Sequence, residues 1–245
     1  MIRIGRGTEP AALVAARARH LPAAIQAYNI HGAGSRELSD LLVGYNPRKV
    51  KDQLYLAQAK KCAWCERRRD YSSSPVDHFR PKDGAWRHKR GARKHVDRGH
   101  YWWLTWTWTN LLFVCPRCND RGHKASYFPL TSSSSPLMSP RRPYHGRLGP
   151  ALFRTSSERP VLLDPAEEDP LDHITWRPLQ TKLERRDWKW SPWGKSARGQ
   201  ATIDVLKLGE LGITCGPWFS RALRKSRRTS PPGAPRRAPL AGRSS

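Results

Sequence analysis

Cys62-Ala63-Trp64-Cys65, answered by Cys115-Pro116-Arg117-Cys118 after residues 66–114, decides how the chain must fold. Two thiol pairs, each with two residues between its cysteines, close on one metal at little entropic cost. Together they complete the tetrahedral four-thiolate set that structural zinc takes. Such a site leaves no position for a substrate, so its role is to pin the chain. One CxxC alone is a weak signal. A thioredoxin-like redox pair explains neither the second CxxC nor the missing βαβ pattern. Between the pairs stands Val76-Asp77-His78-Phe79-Arg80-Pro81-Lys82. A neutral imidazole can take a proton from water while a divalent ion stabilises phosphate charge. Asp77 offers such an ion a hard oxygen, and a side-chain amide can offer another. His20, His31, His88, His95, His100 and His145 are read as solvated or packed histidines.

Working outward, residues 11–30 are Ala-rich and read as a helix with Leu13, Ile25 and Ile30 on one side, broken or restarted at Pro22. Ser35 offers a weak helix start. Asn46-Pro47 offers a better one, with Asn as N-cap and Pro at N1 of a helix running to about Lys61. Val76–Phe79 reads as a short strand, 83–99 as a flexible loop, Leu111–Val114 as a second strand, and Cys115–Lys124 as a turn into a short helix. Strand, loop, strand and helix, with metal ligands at the turn, make a ββα-metal arrangement. His173–Trp176 is strand-like, and Ser196–Leu208 suits a helix.

The fold class expected is therefore α+β: a ββα-metal core with a structural zinc site, helical flanks and a disordered basic C-terminal tail. The organisation expected is a helical segment over 1–46, the metal-bearing module over 47–130, a Ser/Pro/Arg-rich linker or mobile loop over 131–160, an α+β extension over 161–210 and the tail over 211–245.

The chain has 245 residues, 38% of them hydrophobic, with a mean hydropathy of -0.74 and a net charge of +25. That excess points to a polyanion, with nucleic acid leading. A coding bias toward Arg explains part of it, but not the 12 basic against 5 acidic residues in 61–100, where the proposed site lies. Four of five cysteines fall in the two pairs, which fits a reducing compartment. Residues 1–10 carry no apolar signal core, and no stretch is long enough to span a membrane, so the cytoplasm is expected. There is no Walker motif, so any use of ATP must come from a partner.

The order Asp77-His78, Asn110-Leu111-Leu112, Cys115-x-x-Cys118-Asn119 resembles the HNH endonucleases with zinc knuckles (His-Me finger nucleases). Cys-Ala-Trp-Cys-Glu, Val-Asp-His-Phe-Arg-Pro-Lys, Tyr-Trp-Trp-Leu, Trp-Thr-Asn-Leu-Leu, Cys-Pro-Arg-Cys-Asn and Phe-Pro-Leu, in that order, look most like one branch. It is the HNH component of Septu-type antiphage systems (PtuB-like), which also accompanies some retrons. The resemblance spans roughly 45–208. It implies His78 as the general base, Asp77 as ligand of a catalytic Mg²⁺ or Mn²⁺, Asn110 as the middle Asn that orients the loop and the histidine, and Asn119 at the last HNH position, helping to hold that metal. Asn there in place of His makes this an HNN variant, and His123, one helical turn on, is a rival ligand. Cys62, Cys65, Cys115 and Cys118 would hold structural Zn²⁺. The partners implied are nucleic acid, DNA before RNA, and a separately encoded ATPase. An RNA-cleaving nuclease and a non-catalytic zinc-ribbon nucleic-acid binder remain the alternatives.

Tyr101–Trp108 holds four Trp residues, and the spacing of Trp106 and Trp108 suggests a strand with one aromatic face. Core packing around the module is favoured over base stacking. Arg80, Lys82 and Lys124 are expected to contact nucleic-acid phosphates, and Arg67–Arg69 are either a solvated surface or a nucleic-acid rail.

Overall fold

The computed structural model describes residues 1, 3–87, 96–145, 153–178, 189–211 and 213–214. It divides into two units, Met1–Arg177 with Pro192–Leu211, and Pro178–Ser191 with Gly212–Ser245.

The first unit opens with α1 (Ala11–His31), α2 (Arg36–Leu41) and α3 (Arg48–Ala57). Helix α1 runs unbroken through Pro22, contrary to the expected break. Pro22 and Ala18, whose carbonyl loses its donor, both lie on the exposed face, where water can satisfy that carbonyl. The buried face is Leu13, Ala16, Ala24, Ala27 and Tyr28, while Ile30 is 58% exposed. Ser35 caps α2 as expected, accepting the Leu38 N–H. Helix α3 starts one residue later than expected, with Pro47 as its N-cap, and ends at Ala57 rather than Lys61. Its inward pair, Val50 and Leu54, is fully buried at i, i+4 spacing.

Strand β1 (Val76–His78) is followed by the small antiparallel pair of β2 (Ala85–Trp86) and β3 (Val96–Asp97), then by β4 (Leu111–Phe113). Strands β1 and β4 pair antiparallel with Val76 opposite Phe113 and His78 opposite Leu111. The loop read over 83–99 thus contains β2 and β3, and residues 88–95 lie outside the described residues. The expected Cys115–Lys124 helix shortens to α4 (Pro116–Asn119). Asp120 turns to extended backbone and accepts the Gly122 N–H at 2.6 Å, an Asx turn that stops the helix.

Tyr101–Trp108 is not a strand. It forms two 3₁₀ turns, Trp102–Leu104 and Trp108–Asn110, after Tyr101 in the left-handed region at φ 66°. Tyr101, Trp102, Trp103 and Trp106 are at most 1% exposed, and Trp108 is 5% exposed, so the segment is core as the packing argument held. Two of its indole N–H groups find carbonyls: Trp106 donates to Val43 at 2.8 Å and Trp108 to Gly7 at 3.2 Å. Arg6 reaches from the start of the chain to the carbonyls of Trp108 and Leu111.

Within the segment read as a linker, Leu130 bridges Pro160, and Glu158 is buried. Residues 146–152 lie outside the described residues. Strand β5 (Ile174–Pro178) and helix α5 (Ala197–Leu206), the latter capped by Ser196 accepting the Gly199 N–H, follow where expected. Strand β6 (Lys189–Gly194) begins in the second unit and ends in the first; within the second unit its Lys189 and Trp190 pair antiparallel with Thr214 and Ile213 of β7 (Ile213–Thr214). A 3₁₀ turn over Leu208–Leu211 ends at the first residue of the expected 211–245 tail, and β7 falls within that tail. Residues 215–245, with Cys215, lie outside the described residues.

Candidate functional site

The four thiols come together. Cys62, Cys65, Cys115 and Cys118 are all buried, carry no disulfide, and have sulfurs within 4.8 Å of one another. A zinc–sulfur bond of about 2.3 Å gives a tetrahedral edge of about 3.8 Å. Cys65 Sγ and Cys115 Sγ lie 3.8 Å apart. The cluster could hold a structural zinc. Burial pushes the Cys62 thiol well above its ordinary value. A cation between the sulfurs is what would let all four ionise.

Backbone amides finish the knuckles: Cys115 N–H donates to Cys62 Sγ at 3.3 Å and Cys118 N–H to Cys115 Sγ at 3.5 Å. Glu66, at φ 56°, reverses the chain so that Cys62 N–H reaches the Arg67 carbonyl. The first knuckle is strapped to β4. Ala63 N–H donates to Phe113 O at 3.0 Å, and the buried Gln58 carboxamide both donates to Phe113 O at 2.7 Å and accepts Phe113 N–H at 2.9 Å. Gln58 thus completes a strand edge with a side chain. Sequence reasoning placed it only on a helix.

At the other end of β1, His78 is 4% exposed and packs edge-on against Tyr45, ring centroids 4.4 Å apart. Its Nε2 lies 2.9 Å from Thr105 O. A carbonyl can only accept, so Nε2 carries the proton and Nδ1 keeps a lone pair. Burial, helped by the Lys82 and Lys124 charges, pushes the imidazole down to about 3, so it is neutral at neutral pH.

Asn110, 1% exposed, holds this arrangement. Its Oδ1 accepts Arg80 N–H at 2.8 Å, and its Nδ2 donates to Arg80 O at 3.0 Å and to Leu104 O at 3.3 Å. Phe79 N–H donates to Asn110 O at 2.8 Å. One amide therefore ties the exit of β1 to the turn whose next carbonyl, Thr105 O, grips His78. That carbonyl was invisible to sequence reasoning, because it acts through backbone.

Asp77 and Asn119 also meet. With its amide nitrogen turned toward Asp77, Asn119 donates to both carboxylate oxygens at 3.1 and 3.2 Å. Lys124 Nζ donates to Asp77 Oδ2 at 3.3 Å, to His78 O at 2.8 Å and to Ala125 O at 3.2 Å. Burial pushes the Asp77 carboxyl up, with Lys124 opposing.

Two of the three expected phosphate contacts are placed elsewhere. The Lys124 side chain is fully buried on Asp77. Arg80 is 4% exposed and its Nε donates to Glu158 Oε2 at 2.7 Å. Glu158 also accepts Tyr101 OH and, at 3.1 Å, Leu137 N–H. Only Lys82 of the three stays partly exposed, 5.6 Å from the Tyr45 ring centroid. Such cations read as phosphate binders until their acidic partners, remote in sequence, are seen.

The four-thiol cluster and the His78, Asp77 and Asn110 side chains thus lie at the two ends of one two-stranded ladder. The chain is similar to the Septu protein PtuB of Bacillus mycoides (strain KBAB4), at 33% identity over 134 residues. Those residues are 54% of this chain and 40% of that relative, so the chain spans well under half of the curated relative it matches. No family model matches the sequence, and no solved structure matches it. Among the described residues, no helix is long and apolar enough to cross a membrane.

Proposed function

We propose that the chain is a metal-dependent HNH endonuclease that hydrolyses phosphodiester bonds, DNA before RNA, in antiphage defence. The observation that carries this reading is His78: a neutral imidazole fixed through Nε2 on Thr105 O, with Nδ1 left to take a proton, beside the paired Asp77 and Asn119. Turning the Asn119 amide over sets its oxygen beside the Asp77 carboxylate. Two hard oxygens then face one point, a donor set that suits Mg²⁺ or Mn²⁺. A divalent ion held there would neutralise charge on the phosphate and on the departing oxygen.

His78 Nδ1 takes one proton from water as the water oxygen bonds to phosphorus, and the bond from phosphorus to the 3′ oxygen breaks. Asn110 keeps the histidine strand and the Leu104–Thr105 turn in register during that step. The net charge of +25 draws the polyanion in, and Lys82 stands nearest the histidine as a partly exposed cation. The similarity to the Septu protein PtuB supports the defence role; a separately encoded ATPase partner is what the motif resemblance implies.

Plasmid cleavage by purified protein with Mg²⁺ or Mn²⁺ tests this, comparing wild type with His78→Ala. Cutting by wild type and a drop of about 100-fold or more in the variant is expected, since a positioned base contributes roughly 10²–10⁴-fold. Equal cutting by both would remove His78 from the mechanism.

A further inference from the structure

Among the described tryptophans, most of them buried, Trp86 at 41% and Trp193 at 55% are exposed. Trp86 is held there deliberately by backbone. Trp86 N–H donates to Ser126 O at 2.8 Å, Trp86 O accepts Phe128 N–H at 2.8 Å, and Trp86 bridges Tyr127. Residues opposite one another in a ladder project from the same face. The indole and the Tyr127 phenol therefore stand on one face of this short ladder.

They wall a cleft of about 260 Å³ completed by Arg121, Lys124, Ala125 and Ser126. That is below the roughly 300–1,000 Å³ of a site that swallows a whole small molecule. It suits one flat ring system that is part of something larger. Arg121 is exposed at this cleft, and Lys124 is its inner wall. The same Lys124 reaches Asp77 Oδ2 at 3.3 Å, so the aromatic cleft and the carboxylate are separated by a single side chain.

We infer that the Trp86–Tyr127 cleft is the subsite for one unpaired nucleobase of the strand being cut, stacked beside the scissile phosphate. The inference rests on the phosphodiesterase reading above and deepens it. A base lodged there has its flanking phosphates directed toward Asp77 on one side and Arg121 on the other. Stacking on an aromatic face is tolerant of base identity and needs the base out of its pair. The substrate recognised is therefore a single strand, or a duplex opened at the cut.

Equilibrium binding of the full chain to fluorescein-labelled single-stranded DNA, the matching duplex and the matching single-stranded RNA tests this, with no Mg²⁺ or Mn²⁺ added so that nothing is cut and no chelator present so that the thiols keep their metal. Trp86→Ala is expected to weaken single-strand binding about tenfold or more. Trp86→Tyr should stay within about threefold of wild type, since it keeps a stacking face. His78→Ala is expected to bind like wild type while failing to cut. A Trp86 effect seen on RNA more than on DNA supports the subsite and assigns the strand. If wild type cuts and Trp86→Ala binds and cuts equally well, the base subsite is overturned while the nuclease stands. If Trp86-dependent binding is found in a chain that never cuts, the subsite stands and the hydrolysis falls. If no strand binds, both fall.

Discussion

At the Val76–Phe113 end of the β1–β4 pair, four thiols converge within 4.8 Å and Phe113 is gripped by Ala63 and by both ends of the Gln58 carboxamide. At the His78–Leu111 end, a few residues away, one imidazole leans on one carbonyl, and one asparagine holds three backbone groups. The first end is redundant and closed, so its strength does not depend on any single hydrogen bond. The second is spare, with polar groups left to act on something else. On the proposed nuclease reading, placing both on one short ladder would let the rigid end fix the position of the histidine end, which is what a preorganised site requires.

The comparison breaks most completely at the thiols. Cys115→Ser, or stripping metal with a strong chelator, is expected to abolish cooperative melting of the 62–118 region. Structural zinc contributes roughly 10–16 kcal/mol in zinc-finger peptides, more than most domains have to spare. Metal analysis of wild type should find about one zinc per chain. An unchanged melting curve in the metal-free variant would show that the thiols do not pin the fold.

A smaller effect is expected behind the histidine. Glu158→Ala leaves the Arg80 guanidinium buried without its carboxylate, at a cost of about 3–5 kcal/mol in urea unfolding. A loss below about 1 kcal/mol would mean that water reaches Arg80 and that the spare end is wetter than its 4% exposure indicates.

The finest probe is Asn110→Ala. It strips partners from Arg80 N–H, Arg80 O and Leu104 O, for about 1–3 kcal/mol of stability. If Asn110 orients His78, cleavage should fall at least about tenfold in kcat with KM little changed. Loss of stability with full kcat would reduce Asn110 to a structural tie.

How legible each end was follows from the same contrast. The thiol cluster announced itself, because CxxC spacing is local and its chemistry specific. Strands β1 and β4 and helix α5 were also readable from short apolar runs and the Ser196 cap. The Trp-rich segment was misread as a strand because the Trp106–Trp108 spacing mimics strand alternation, whereas Thr105 and Thr107 are buried as well and no alternation exists in the fold. Its turning is set by Tyr101 in the left-handed region and by Thr105 Oγ1 donating to Trp102 O at 2.6 Å. Helix α4 was read too long because the Asp120–Gly122 turn outweighed helix propensity. Arg80 and Lys124 were given to phosphate because Glu158 and the fold of Lys124 back onto Asp77 are long-range facts. Asp77 and His78 were picked out by their own chemistry between the CxxC pairs and Asn110 and Asn119 by the resemblance; the structure sets Asn119 against Asp77 and Asn110 on the Arg80 and Leu104 backbone.

The spacing of the two knuckles carries a consequence for synthesis. Cys62 and Cys65 leave the ribosome well before Cys115 and Cys118, with residues 66–114 made in between. At roughly 5–20 residues per second, that gap lasts about 2–10 seconds. During it the nascent chain displays a half-site of two thiols and a run of unburied tryptophans. If the four thiols hold zinc, each newly made molecule depends on its thiols staying reduced and on metal arriving in time, and zinc starvation would deplete the protein as it is made rather than after it has folded.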